Sequence, residues 1–491
     1  MFFLIFREYL FFFFLGTNIK QKKKRLKKIE INYSFYFIIR SRYTSKQHFT
    51  MFRINISHNL LRSSRQTLIK SKSIFHFNKA SFYSTDISNE YSSENYSKLY
   101  NSLTPKQKVI FKTPPSKMES ILKTFTQDQV QQSEYERYLH IKSVQPWLLK
   151  FNSPKLVALS ELFRTDKPTG THLLLTPCIW SLTMSSLMML SGFNQLQVSI
   201  ADSLCTFGLQ TSLFIAGAYI MRSAGCVVND MHDRDLDFKV WRSLQRPMAC
   251  GRINYTEAWL ALLGLTGLGV AILYFGLPWQ CWWLGLASLP IVFVYPLFKR
   301  FTYYPQVVLS SCFNWGSLLG FAAILGSYNY ADSNETEEKQ DLEMEDLPWR
   351  SMAGLYVTTF LWCMIYDTIY AHQDKKFDIK ANIKSTALKW GSNTKPVLYT
   401  MAVIQSLALF DSFNEAGLIG KDNFFSTTGM FTFNYLLFRT IYKVNLDDPK
   451  NCWYYFKRNL KYGQVITVGL LLEYAYQLFK HKDNETKRLN H

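Results

Sequence analysis

Residues Ala258–Phe298 read AWLALLGLTGLGVAILYFGLPWQCWWLGLASLPIVFVYPLF, a run of 41 residues without Asp, Glu, Lys or Arg. A transmembrane helix needs roughly 20 apolar residues, so this run is long enough for two such helices. Gly276, Leu277 and Pro278 interrupt the run near its middle, where Gly and Pro favour a turn. The run therefore predicts two consecutive spanning helices, at about residues 257–277 and 279–298.

Three more charge-free runs flank this one, and they have the same consequence. Pro168–Ala201, Ser203–Met221 and Phe301–Ala331 lack charged residues for 34, 19 and 31 residues. With the first run they predict five spanning helices. A sixth follows at about 351–371, and three weaker candidates contain a charged residue each. The predicted number of spans is nine, with seven or eight as the alternative. The nine spans are residues 171–191, 204–222, 257–277, 279–298, 305–326, 351–371, 396–413, 423–442 and 462–479. The expected fold is an all-α membrane protein, a bundle of about nine transmembrane helices.

The net charge of +20 over 491 residues is concentrated at the N-terminus. Residues 1–85 contain 17 Lys and Arg against two acids, Glu8 and Glu30, whereas the remaining chain contains 39 basic and 34 acidic residues. Most of the basicity is therefore separate from the predicted bundle. We expect the lipid bilayer and no nucleic acid as partner of the folded part.

The N-terminal segment has the composition of a mitochondrial targeting sequence. Ile31–Thr85 has no acid and nine Lys or Arg among many Ser, Phe and Ile. We interpret residues 1–85 as a mitochondrial leader, in which Met51 is a candidate second start. The alternatives are a signal anchor formed by Met1–Gly16 and a disordered basic tail. The expected order continues with a polar, partly disordered linker at 86–150, the polytopic domain at 151–480 and a polar tail at 481–491.

The loops between the predicted spans differ strongly in basic residues. Loops after the even-numbered spans contain 20 Lys and Arg, and those after the first, third, fifth and seventh contain 3. Basic residues mark the side of the membrane that is not translocated. With a mitochondrial leader, this asymmetry predicts a multi-pass protein of the inner membrane whose basic loops face the matrix.

Two of these basic loops carry regularly spaced acids. Asp230, Asp233 and Asp237 have the spacing i, i+3, i+7, so on a helix they share one face with the neighbouring Asn229. Like charges on one face at the end of a span are unfavourable unless a cation neutralises them. Mg²⁺ prefers carboxylate and amide oxygens and bridges them to phosphate oxygens. The first motif therefore predicts a Mg²⁺ and diphosphate site.

The second group of acids has a similar pattern. Asp367, Asp374 and Asp378 are spaced i, i+7, i+11, again one helical face. Two such faces opposed across a bundle would hold a diphosphate between them through Mg²⁺. The alternative is that both groups are solvated charges paired with nearby basic residues. His232 and His372 are interpreted as surface residues without a role, and the candidate donors to phosphate oxygens are Arg242, Arg246 and Lys384.

These motifs resemble those of a known family. The segments Glu161–Ser181, Gly225–Ile253 and Tyr366–Ala387 are similar to the UbiA superfamily of intramembrane aromatic prenyltransferases, and most similar to its mitochondrial branch that acts on 4-hydroxybenzoate. The family pattern NDxxDxxxD is complete at 229–237, and DxxxD is Asp374 and Asp378. The resemblance covers about residues 145–480.

The resemblance implies a bundle around a central cavity that both Asp motifs cap. It implies transfer of a polyprenyl chain from polyprenyl diphosphate to the ring carbon ortho to the hydroxyl of 4-hydroxybenzoate, an early membrane step of ubiquinone synthesis. The expected cofactor is Mg²⁺. Expected partners are the two substrates, the bilayer and other ubiquinone-synthesis proteins. The alternatives are another member, of the haem farnesyltransferase or menaquinone type, a mitochondrial inner-membrane transporter or a non-catalytic assembly factor.

The family also implies roles for single residues. The two Asp motifs would hold the metal ion and the diphosphate. Within them, Asp230 and Asp374 are expected to be catalytic residues. Asp367 would orient or deprotonate the phenol. Arg164 or Lys167 would recognise the substrate carboxylate, and Tyr370 and Asn229 would contact substrate.

Overall fold

A computed structural model of the chain describes residues 34–40, 49–55, 101, 103–193, 198–241, 243–331, 343–381 and 384–489. The chain divides into two compact units, Met1–Tyr83 and Ser84–His491. In the first unit, strands β1 (Ser34–Arg40) and β2 (Phe49–Asn55) pair antiparallel. The rest of the predicted leader lies outside the described residues, so the targeting role of residues 1–85 stays a prediction.

The second unit is helical wherever the structure describes regular elements. Its α-helices are α1 (Pro105–Phe111), α2 (Pro115–Leu122), α3 (Gln127–Val144), α4 (Pro154–Leu162), α5 (Thr169–Leu190), α6 (Ile200–Asp237), α7 (Tyr255–Gly276), α8 (Trp279–Phe301), α9 (Pro305–Phe313), α10 (Gly316–Ala331), α11 (Trp349–Ala381), α12 (Thr386–Trp390), α13 (Thr394–Glu415), α14 (Phe424–Lys443) and α15 (Pro449–Leu489). Short 3₁₀ turns lie at Leu148–Phe151 and Gly391–Asn393.

Helices occupy the positions of all nine predicted spans. Within the described residues, six segments are long and apolar enough to cross a membrane: Thr169–Leu190, Ile200–Asp235, Tyr255–Gly276, Pro305–Tyr328, Trp349–Lys375 and Thr386–Glu415. The prediction of an all-α membrane bundle is confirmed, whereas the count of nine spans stays a prediction. The predicted fifth helix is divided into α9 and α10. At the division the Asn314 side chain donates to the Ser310 carbonyl at 2.8 Å, a local bond that competes with regular helix.

Both Asp motifs lie on long helices. At about 1.5 Å per residue, the 38 residues of α6 extend well beyond a hydrocarbon core of roughly 30 Å. Residues 229–237 form the C-terminal end of α6, and residues 367–378 lie in the second half of α11. The helix α6 corresponds to the second predicted span and α11 to the sixth. If each span crosses the membrane once, the C-terminal ends of these two helices lie on the same side.

The helix α5 forms the centre of the bundle. Its Trp180 ring stacks on Trp362 of α11 at 5.4 Å between centroids, and Phe433 of α14 meets both indoles edge-on at 5.6 Å. All three side chains are fully buried. Edge-to-face and offset contacts of this kind are favourable beyond the area they bury. This cluster therefore fixes α11 and α14 against α5.

Small residues allow α14 and α15 to approach closely. A Cβ added at Gly469 would lie 2.8 Å from the Phe425 carbonyl oxygen and 3.2 Å from the Gly429 Cα. Such close backbone approach is common between membrane helices. By contrast, a Cβ added at Gly267 on the outward-facing α7 would meet no atom within 4 Å.

We expect Gly469→Ala to destabilise the protein by about 1–3 kcal/mol, because the added methyl forces two backbones apart. The matched control Gly267→Ala should be neutral or stabilise by up to about 1 kcal/mol through helix propensity. Thermal unfolding of both purified variants in detergent measures the difference. Equal unfolding temperatures for the two variants would show that α14 and α15 do not pack in this way.

Candidate active site

The first Asp motif surrounds a buried carboxylate. Asp230 is 1% exposed. Its Oδ1 accepts a hydrogen bond from Arg164 Nη2 at 2.6 Å and lies 3.5 Å from Arg246 Nη1. The same Arg246 nitrogen donates to Asp237 Oδ2 at 2.6 Å. Since Asp230 and Asp237 are two helical turns apart on one face, Arg246 bridges them along α6, and two of the three predicted arginines, Arg164 and Arg246, lie at this motif.

The backbone at Arg164 is held in an unusual conformation. Its φ is +56°, in the left-handed region that residues other than glycine seldom adopt. The side chain turns back, so that Nη1 donates to the Glu161 carbonyl at 2.8 Å while Nη2 reaches Asp230. This backbone conformation ends α4, because the Arg164 N–H donates to the Glu161 carbonyl and the following N–H donates to the Ser160 carbonyl, both at 3.1 Å. The guanidinium then lies between α4 and α6.

The charges of the first motif are not fully balanced. Burial raises the pKa of Asp237, and the negative charges of Asp230 and Asp233 add to that rise, although Arg246 acts to lower it. Asp230 Oδ2 is buried and has no hydrogen-bond partner among the described residues. A buried acceptor without a partner is costly. A further cation near this face would therefore be stabilised.

The donor set fits Mg²⁺ as that cation. The motif offers carboxylate oxygens and the Asn229 amide, the hard ligands that this ion prefers. Within the described ranges, however, no three His, Cys, Asp or Glu side chains are grouped closely enough to hold a metal ion. Mg²⁺ is usually bound by one or two carboxylates together with substrate phosphates rather than by an all-protein cage.

The second motif lies at the C-terminal end of α11. Asp367, Asp374 and Asp378 are all partly buried there. The helices α6 and α11 pack against the same two helices, α5 and α10. The structure thus places the two motifs on helices that flank a common pair, and it groups Asp230 and Asp237 with Arg164 and Arg246. The joint use of both motifs by one ligand stays a prediction.

The other predicted donors have different surroundings. The Lys384 ammonium lies 5.4 Å from the centre of the Tyr303 ring, so a cation–π contact holds it near the start of α9. Arg242 lies outside the described residues.

The two histidines of the motifs differ in exposure. His232 is exposed, as expected, and its Nδ1 lies 2.9 Å from the Val228 carbonyl oxygen. His372 was expected at the surface but is buried against α13. Its Nε2 lies 3.1 Å from the Thr394 hydroxyl of that helix.

Aromatic rings line the side of α11 that carries Tyr370. The Tyr370 ring lies 4.8 Å from Phe456 and 6.0 Å from Trp453, both on α15. Tyr366, one turn earlier, contacts Phe456 edge-on at 5.9 Å. Since Asp367 lies between the two tyrosines in sequence, this aromatic group lies close to a predicted catalytic residue. Aromatic faces of this kind attract cations.

Sequence reasoning missed the contribution of residues 103–150, within the predicted linker. Here α3 packs beside the site, and Arg137 bridges two buried acids, Glu161 and Asp166, with Nη2 at 2.7 Å from Asp166 Oδ2. A signal for these helices was present. Thr104 with Gln107, and Thr126 with Gln129, form capping boxes that start α1 and α3.

The buried ion pairs connect the segments that carry the two site arginines. Arg252 Nη1 lies 2.6 Å from Glu161 Oε2, and Arg252 Nη2 donates to the Gln245 carbonyl at 2.6 Å, next to Arg246. On the other side, burial opposes ionisation of Asp166, but the charge of Arg137 and the hydrogen bond from His140 together outweigh it and hold the Asp166 pKa well below its usual range. We call Arg137, Glu161, Asp166 and Arg252 the arginine clamp.

We expect Arg137→Met to destabilise the protein by about 3–5 kcal/mol, because it leaves Glu161 and Asp166 buried with less compensating charge. The matched control is Arg350→Met, which removes an arginine whose side chain is 69% exposed and which pairs with Asp411 at 2.9 Å. Exposed pairs contribute little, so the control should unfold near the wild-type temperature. Thermal unfolding of both variants distinguishes them, and a similar effect of the two would contradict the clamp.

The chain is similar in sequence to proteins of known function. The UbiA prenyltransferase family matches residues 178–463. The chain is 47% identical over 328 residues to the mitochondrial 4-hydroxybenzoate polyprenyltransferase of Saccharomyces cerevisiae, covering 66% of this chain and 78% of that protein. It is 40% identical to the protein of the same name from Schizosaccharomyces pombe, covering 65% and 80%.

A solved UbiA homologue is also similar to the chain. The structure of the homologue from Archaeoglobus fulgidus bound to GPP and Mg²⁺ shares 17% identity and a TM-score of 0.35, covering 61% of this chain and 100% of that one.

Proposed function

Because this chain belongs to the UbiA prenyltransferase family, we propose that it transfers a polyprenyl chain from polyprenyl diphosphate to the ring carbon ortho to the hydroxyl of 4-hydroxybenzoate. The observation that carries this proposal is the 47% identity to the yeast 4-hydroxybenzoate polyprenyltransferase over most of the bundle. It favours this branch over the haem farnesyltransferase and menaquinone types. The reaction is a membrane step of ubiquinone synthesis.

The reaction requires the loss of a diphosphate from an allylic carbon. The bond between C1 of the prenyl chain and the diphosphate oxygen breaks, and its electron pair leaves with the diphosphate. Mg²⁺, held by Asp230, Asp233, Asp237, Asp374 and Asp378, would neutralise charge on this leaving group. The guanidinium group of Arg246, which lies 3.5 Å from Asp230, is a candidate donor to the diphosphate oxygens. Arg242, Lys384 and the Asn229 amide are the further candidate contacts.

The aromatic substrate is the nucleophile. A bond forms between the prenyl C1 and the ring carbon, which then loses its proton. Removal of the phenol proton increases electron density at that ortho carbon, and Asp367 is the proposed base or orienting residue. Tyr370, three residues further along α11, is proposed to contact substrate. Arg164 or Lys167 would recognise the substrate carboxylate.

The allylic cation must be kept from water while it reacts. The rings of Tyr366, Tyr370, Trp453 and Phe456 pack together, and the two tyrosines flank Asp367 in sequence. Such a group excludes water and presents π faces that stabilise positive charge. We propose that it forms part of the wall of the prenyl site.

The named relatives are mitochondrial, and the chain contains several apolar helices of membrane-spanning length. The protein therefore acts in a mitochondrial membrane. We propose the inner membrane, with both Asp motifs facing the matrix. Contact with other proteins of ubiquinone synthesis is a further proposal.

Asp230→Asn and Asp374→Asn should each abolish formation of prenylated 4-hydroxybenzoate, because each removes a carboxylate that would hold the Mg²⁺ needed to neutralise the leaving diphosphate. Asp235→Asn is the matched control. Asp235 lies on the same helix, but its side chain is 72% exposed and pairs only weakly with Arg234 at 3.2 Å. An assay of membranes with 4-hydroxybenzoate, a long-chain polyprenyl diphosphate and Mg²⁺ measures all three. Wild-type rates in either motif variant would refute the site.

Asp367→Asn should lower turnover by about 10²–10⁴-fold, the usual contribution of a general base. Affinity for the polyprenyl diphosphate should be unchanged, because Asp367 is assigned to the phenol and not to the leaving group. The rate should recover in part at high pH, where the phenol is ionised in solution. A variant that loses diphosphate affinity without this recovery would assign Asp367 to the metal site instead.

A further inference from the structure

One face of α14 is left uncovered by the rest of the bundle. Phe431, Tyr435 and Tyr442 are 59%, 66% and 74% exposed, and their spacing of four and seven residues places them along a single helical face. Leu407 and Phe410 of the neighbouring α13 are exposed as well. The face changes from apolar to polar along the helix, because Arg439 and Lys443 lie at its C-terminal end.

A groove opens at this polar end, between α14 and α15. It has a volume of about 250 Å³ and is lined by Arg439, Lys443, Tyr454, Tyr455, Arg458 and Tyr462. A wider recess of about 600 Å³ adjoins it, shares Arg439 and Lys443 with it, and is lined otherwise by Tyr399, Tyr435, Phe438 and Tyr442. We call the two together the α14–α15 groove.

The α14–α15 groove is strongly positive. Three cationic side chains and no acid line it. In the part of the chain that the structure describes, neither Arg439 nor Lys443 forms an ion pair with a carboxylate. The Arg458 guanidinium instead lies over the Tyr454 ring at 4.7 Å. Positive charge is therefore gathered here without a protein counter-charge, and tyrosine hydroxyls lie around it as further hydrogen-bond donors.

We propose that the α14–α15 groove binds the phosphate group of an anionic phospholipid, whose acyl chains lie along the exposed face of α13 and α14. The cations match the phosphate charge, and the tyrosines are the residues that gather at the membrane–water interface. Basic pockets between membrane helices are known to hold anionic headgroups. The apolar face beside the cations favours a lipid over a soluble phosphate, which would leave Phe431 and its neighbours uncovered.

The lipid site is separate from the proposed prenyl site. None of its lining residues belongs to either Asp motif or to the arginine clamp. It also shares no residue with the aromatic group around Tyr370. Loss of lipid binding is therefore measurable without reference to turnover.

The test is native mass spectrometry of the purified full-length protein in detergent, titrated with phosphatidylglycerol, phosphatidylcholine or inorganic phosphate. We expect bound phosphatidylglycerol in clear excess over phosphatidylcholine. Arg439→Gln and Lys443→Gln should each weaken phosphatidylglycerol binding about fivefold, since one cation near an anionic headgroup is worth ~1 kcal/mol. The matched control Lys421→Gln removes an exposed lysine near the opposite end of α14 and should bind as wild type.

Arg439→Lys keeps the charge and should retain most of the binding, which separates charge recognition from a loss of folding. Equal binding of phosphatidylglycerol by the wild type and both Gln variants would overturn the proposal. So would inorganic phosphate that competes as well as the lipid at the same concentration, because the groove would then be a site for soluble anions.

Discussion

The arrangement of the candidate site depends on the burial of the Asp230 carboxylate at the end of α6. A charge that is 1% exposed must be paired, because an isolated buried carboxylate costs several kcal/mol. The partners come from two different segments, Arg164 before α5 and Arg246 after α6. Pairing with Asp230 therefore brings both segments to the same end of the bundle. The left-handed backbone at Arg164 ends α4 just before this pairing.

The arginine clamp holds these two segments from outside the bundle. Glu161 accepts from Arg137 on one oxygen and lies beside Arg252 on the other, so a single buried acid joins α3, α4 and the segment after the first motif. Gln245, next to Arg246, also donates to the Ser133 hydroxyl of α3 at 2.9 Å. The N-terminal helices thus preorganise the two arginines before any ligand binds. The unpartnered oxygen of Asp230 then leaves one place where a ligand cation adds stability.

The bundle could be predicted from the sequence because lipid burial demands long charge-free runs, and each run corresponds to one or two helices. The faces of the two motifs followed from helical spacing alone. The division between α9 and α10 was missed, since it depends on a local bond of Asn314. Arg137 was missed because its acids are 24 and 29 residues away, beyond any local pattern. His372 was misjudged because its burial depends on α13, a contact that only tertiary packing provides.

We propose that both Asp motifs jointly hold one diphosphate through a divalent cation. The most direct test is electron paramagnetic resonance of Mn²⁺, used in place of Mg²⁺, on the full-length protein with a polyprenyl diphosphate. We expect phosphorus hyperfine coupling to the bound Mn²⁺ in the wild type, and loss of that signal in both Asp230→Asn and Asp374→Asn. Undiminished coupling in either variant would contradict it, because one motif would then suffice to hold the metal and its diphosphate.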